Sequence, residues 1–95
     1  MTRQRVVVGA TDHDDRVFAV ARTLRDAGRE VVLVGGGQSA EQLVRTALAE
    51  DAAELVVCTD DAGMASIESV RARLGAEHVR LTAAGVTDPT RQHPA

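Results

Sequence analysis

The chain contains no lysine, no tryptophan and no tyrosine, and it carries a single phenylalanine, Phe18, and a single cysteine, Cys58. Each absence excludes something. A single phenylalanine provides no series of rings on which successive bases of a single strand could stack. The net charge is −3 with both signs interspersed, so no basic face is available for a phosphate backbone. Nucleic acid is therefore not an expected partner. A lone cysteine cannot close an internal disulfide, and a cytoplasmic location is the default expectation. No apolar run approaches the roughly 18 residues of a membrane span, and the N-terminus lacks the pattern of a signal peptide. The core of this 95-residue chain must be built from valine, leucine and alanine. A small domain with such a core has little stability to spare, which makes a homo-oligomer or a partner protein an expectation.

What is present is a regular alternation of short apolar runs and helical periods. Arg5 to Gly9 reads as a buried strand, with Val6, Val7 and Val8 apolar on both faces. Asp14 or Asp15 offers a helix N-cap, followed at helical spacing by Val17, Val20, Ala21, Leu24 and Ala27, with Gly28 as the stop. Glu30 to Val34 is a second buried strand, and Gly35-Gly36-Gly37-Gln38 a loop. Ser39-Ala40-Glu41-Gln42 has the form of a capping box and opens a helix running to about Glu50. Leu55 to Cys58 is a third strand, Thr59 to Gly63 a loop, and Met64, Ile67, Val70 and Leu74 one stripe of a third helix. His78 to Thr82 is a fourth strand, and Arg80 within it suggests an edge position. From Thr87 the chain is polar and contains Pro89 and Pro94. The expected organisation is one domain over residues 1–86 and a polar tail over 87–95.

Strands alternating with helices imply a parallel sheet. The expected fold is α/β and flavodoxin-like, with four parallel strands in the order 2-1-3-4 and three helices. In that order the switch point lies between the first and third strands, where such sheets bind ligands. Residues 10–16 and 59–63 would then face one crevice. The run Thr11-Asp12-His13-Asp14-Asp15-Arg16 sits there. His13 can ligate a metal or a metallo-cofactor, or it can be a solvated loop histidine bonded to Asp15. Asp12, Asp14 and Asp15 are candidates for a divalent cation, but they fit no calcium-loop spacing, and helix capping is the simpler role. A phospho-accepting site of the receiver type needs a later lysine, and there is none. Gly35-Gly36-Gly37 lacks the Walker lysine and the dinucleotide-binding spacing, so a flexible loop is expected. Cys58 reads as a core thiol, and His78 and His93 read as solvated.

Ala21-Arg22-Thr23-Leu24-Arg25-Asp26-Ala27-Gly28-Arg29-Glu30-Val31 resembles the first helix and second strand of the cobalamin-binding domain of acyl-CoA mutases such as methylmalonyl-CoA mutase. Gly35, Gln38, Glu41, Leu43-Val44 and Glu50-Asp51 continue the likeness at the same spacing, over roughly residues 4–82. The resemblance implies a cobalamin cofactor with His13 as the lower ligand of cobalt. It places Thr11 at the position of an aspartate that orients the imidazole, and Arg16 at that of a glycine beside the cofactor's nucleotide tail. Asp12 lies between them in the same loop. Thr59-Asp60-Asp61 aligns with a Ser-x-Leu motif, so Thr59 keeps a hydroxyl and Asp61 replaces an apolar residue. Ala83-Ala84-Gly85 aligns near a Gly-Gly motif, with Gly85 as the retained member.

The resemblance further implies a cofactor-binding subunit that is not catalytic alone, with the acyl-CoA held by a separate large barrel subunit. The family domain continues into a further helix, strand and helix, which this sequence does not contain. The changes at Thr11, Arg16 and Asp61 leave a second reading open. In it the chain is a degenerate homologue that no longer binds cobalamin and acts as a protein-interaction or regulatory module.

Overall fold

A computed structural model describes residues 4–84. Four strands and three helices alternate: β1 (Arg5–Ala10), α1 (Arg16–Asp26), β2 (Glu30–Gly35), α2 (Ala40–Ala49), β3 (Glu54–Cys58), α3 (Asp61–Arg73) and β4 (Arg80–Ala83). All strand pairs are parallel, in the order β2-β1-β3-β4. This is the flavodoxin-like α/β arrangement expected from the alternation of patterns. The boundary at residue 86, the tail 87–95 and Gly85 lie outside the described residues.

The valines of β1 are why the sheet has two buried faces. Val6, Val7, Val8 and Ala10 are all fully buried, and successive side chains of a strand point to opposite faces. Val7 joins Leu43, Val44, Ala47, Leu55, Val57 and Ile67 in the layer under α2 and α3. Val6, Val8 and Ala10 join Val17, Val56 and Cys58 in the layer under α1. Both layers are made of aliphatic side chains, as the shortage of aromatics requires.

Two element starts depart from the sequence reading by two residues or more, each for a local reason. Helix α3 begins at Asp61 rather than near Met64, because the Asp60 carboxylate accepts the Gly63 N–H at 2.7 Å and caps the helix early. Strand β4 begins at Arg80 rather than His78. The Arg71 guanidinium donates to the carbonyls of Glu77 and Val79, which holds that segment in a turn. Helix α1 has its N-cap at Asp15, one of the two expected positions, without a side-chain cap, and Asp14 accepts the Arg16 N–H at 3.0 Å. The capping box of α2 is present in both its bonds, Ser39 to Gln42 and back.

The strand starts carry the charge. In sheet order they read Glu30, Arg5, Glu54 and Arg80, alternating in sign. Arg5 pairs with Glu30 at 2.8 Å and Arg29 with Glu54 at 2.8 Å. Glu54 is only 8% exposed. Burial pushes its carboxyl upward, but hydrogen bonds from Thr82 and Arg29 outweigh this and hold it below the usual carboxylate range. A carboxyl lowered in the folded state contributes stability above its unfolded value, and that contribution is lost as pH falls through the folded one.

Two outcomes follow for equilibrium urea unfolding. Leu43→Ala removes a fully buried side chain shared by α2 and the sheet, and should cost about 2–5 kcal/mol. Glu54→Gln should flatten the loss of stability below about pH 4.3, the ordinary value of an unfolded glutamate. An unchanged acid limb in this variant would show that Glu54 is not the group titrating there.

Candidate functional site

The ends of β1 and β3 lie side by side because Ala10 is in register with Cys58. The next residues in each strand direction are therefore neighbours. The Thr11 N–H donates to the Cys58 carbonyl at 3.4 Å, and the Thr11 and Thr59 hydroxyls are hydrogen-bonded at 2.7 Å. The structure thus brings together Thr11 and Thr59, two residues far apart in sequence that were chosen as candidates from different motifs.

His13 is exposed, and among the described residues its imidazole has no hydrogen-bond partner. The loop that carries it is held from the other side by the β2–α2 loop. The Gly37 N–H donates to the Asp12 carbonyl at 3.1 Å, and the Gln38 N–H to the Ala10 carbonyl at 3.0 Å. A Cβ at Gly36 would collide with the Asp12 carbonyl oxygen and stand 3.2 Å from His13 Cα. The triple glycine is therefore a close-packed clamp under the histidine loop. The Gly37 and Gln38 amides are already bonded to protein carbonyls.

The charged candidates separate from this centre. The Asp12 side chain is exposed; its backbone, not its carboxylate, makes the contact to the glycine loop. Arg16 folds back on Asp14, with Nη2 to Oδ2 at 2.6 Å and Nε to both carboxylate oxygens at 3.0 Å. That guanidinium holds the Asp14 carboxyl below its ordinary value. Asp61 is exposed in the first turn of α3. Cys58 is buried, and burial together with the nearby Asp14 carboxylate raises its thiol, so it is a neutral core side chain. Among the described residues no group of three or more His, Cys, Asp or Glu could hold a metal ion. This sets aside the aspartate cluster as a cation site. A single imidazole ligating a metal that brings its other ligands with it needs no such cluster.

Sequence reading passed over Gly63. A Cβ there would sit on the Thr59 hydroxyl, so the glycine is what allows Thr59 to occupy its place beside Thr11. Sequence alone offered no signal, because Gly63 read as the last residue of the β3–α3 loop, and only the early start of α3 makes it a helical position.

Gly63→Ala should therefore destabilise the protein by about 1–3 kcal/mol by overpacking, against the gain that helix propensity alone would give. In a Thr59→Ala background the same substitution should be neutral or stabilising. A double-mutant cycle reads the difference, and additive effects would exclude the contact as the cause.

Scanned against protein-family profiles, the chain matches none. A search of curated proteins finds it similar to the small subunit of 2-hydroxyisobutanoyl-CoA mutase from Aquincola tertiaricarbonis, 48% identical over 44 residues. The matched stretch is 46% of this chain and 32% of that subunit, so the likeness spans about a third of the relative's length.

Proposed function

We propose that this chain is a cobalamin-binding-type subunit of an acyl-CoA mutase, without catalytic activity alone. The observation that carries the reading is the partial identity to a mutase small subunit, on a chain whose His13 stands exposed at the end of β1. The residues present fit the cofactor at its metal position. His13 is accessible, unpartnered among the described residues, and carried on a loop braced by two backbone hydrogen bonds.

In this reading His13 offers a neutral imidazole nitrogen to cobalt, and Thr11 orients the ring. A hydroxyl has one donor and two acceptor positions. Thr11 can therefore donate to Thr59 while accepting from the imidazole N–H, the outer contact that fixes a ligating histidine. Thr59 is the polar group for the nucleotide tail, with Gly85 as a further contact from the resemblance. Asp12 and Asp61 border the site, and Arg16 is turned onto Asp14. Opening the Thr11–Thr59 bond to admit the tail costs about 0.5–1.5 kcal/mol, small against the binding energy of a large cofactor. When bound, cobalamin supplies the radical chemistry. The acyl-CoA would be held by a large barrel subunit, which encloses the reaction.

A second reading has one observation in its favour. The Thr11–Thr59 bond already joins the two strand ends across the crevice, as suits a homologue that has given up the cofactor and serves as an interaction module. Visible spectroscopy separates the two. The protein mixed with hydroxocobalamin and desalted should retain the chromophore near one equivalent. His13→Ala should lose it or change its spectrum, and Thr11→Val should weaken retention by about tenfold or more. A colourless wild-type protein would overturn the cobalamin reading.

A further inference from the structure

Helix α1 presents to solvent a stripe that the sheet and the candidate site leave unused. Val17, Val20, Ala21 and Leu24 face the sheet. Asp15, Phe18, Arg22 and Arg25 are exposed, and their spacing of three, four and three residues places them along one line of the helix. Phe18 is the only aromatic residue of the chain and is 59% exposed, the one large hydrophobic so placed among the described residues. Asp15 makes no side-chain cap. Neither it, Arg22 nor Arg25 forms an ion pair among the described residues, although seven such pairs occur elsewhere. Among the described residues nothing covers the ring, and the charges that flank it are of both signs.

We infer that this stripe is the contact face for a second copy of the chain, joined through antiparallel α1 helices about a two-fold axis. The order of charges selects both the occupant and the direction. With the axis passing midway between Phe18 and Arg22, Phe18 of one copy faces Arg22 of the other, and Asp15 faces Arg25. The first pair sets a guanidinium over an aromatic face, and the second is an ion pair of opposite charges. The two-fold repeats each contact, as an isologous interface does. A parallel arrangement would instead set Arg22 against Arg22 and Arg25 against Arg25. Ala19, exposed beside the stripe, has no bulk to hold the helices apart. One pair of helices buries less than the roughly 1,200 Å² of a stable interface, so the association is weak and depends on concentration.

Sedimentation equilibrium at low salt, over about 10 µM to 1 mM protein, tests this, with far-UV circular dichroism confirming that each variant is folded. The wild-type chain should pass from monomer toward dimer across that range. Asp15→Arg and Arg25→Glu should each weaken association by about tenfold or more, since each sets like charges together twice. The double variant D15R/R25E should restore it to within about threefold, because the opposite charges are merely exchanged across the axis. Phe18→Ala should weaken it as well. A wild-type chain that stays monomeric throughout, a dimer indifferent to the single reversals, or a double variant that fails to recover would each overturn the inference.

Discussion

The pairing of β1 with β3 is the constraint on which the rest of this structure depends. Its register runs from Val6 opposite Glu54 to Ala10 opposite Cys58. Because β1 is buried on both faces, a slip of one residue would exchange its two apolar sets and disturb both layers together. That leaves one register, and the register decides which residues meet beyond the strand ends. Thr11 and Thr59 are neighbours for no other reason. The position of His13 follows two residues later, on a loop that must turn away before α1 can cover the sheet.

The two ends of the sheet are built on opposite principles. At the start of the strands, alternating charges close on one another: Arg5 on Glu30, Arg29 on Glu54, with Thr82 completing the Glu54 carboxylate. At the far end a hydroxyl pair and an imidazole without a hydrogen-bond partner among the described residues stand beside one exposed ion pair, Arg16 on Asp14. Removing one partner of a buried, hydrogen-bonded pair such as Arg29–Glu54 would leave the other charge uncompensated. Polar groups left without ionic partners at the other end remain available to a ligand. The candidate site therefore lies at the carboxyl ends of the strands, where open parallel sheets bind their ligands.

The fold was legible because its signals are local and repeated. Apolar runs of strand length, helical stripes and the Ser39–Gln42 capping box are each readable within a few residues, and the order 2-1-3-4 follows from connecting them. The element edges were less legible, since each was moved by a contact that periodicity does not register. Asp60 reaching Gly63 and Arg71 reaching the carbonyls of Glu77 and Val79 are the examples. Within the candidate site, His13, Thr11 and Thr59 were proposed from the resemblance, but the bond between the two threonines could not be read from the sequence. It spans 48 positions and exists only once the strands are in register. The packing of the glycine loop was out of reach for the same reason. Composition reports that Gly36 is permissive, whereas its role depends on the Asp12 carbonyl lying against it.

The scarcity of aromatics joins these observations. In an aliphatic core of this size no large ring anchors one layer to another, so close backbone approach takes over part of that task. Gly36 against Asp12 and Gly63 against Thr59 are two such approaches, and both brace the loops at the switch point. A site supported in this way gains its rigidity from the absence of side chains. It is correspondingly sensitive to the addition of a single methyl group at positions remote from any ligand contact. The one aromatic residue, Phe18, is spent outside the core, on the exposed face of α1. A chain with so little apolar area to bury gains nothing in its own fold from placing its largest hydrophobic side chain in water. The described residues leave the ring uncovered, and the proposed two-fold contact between α1 helices is what would cover it.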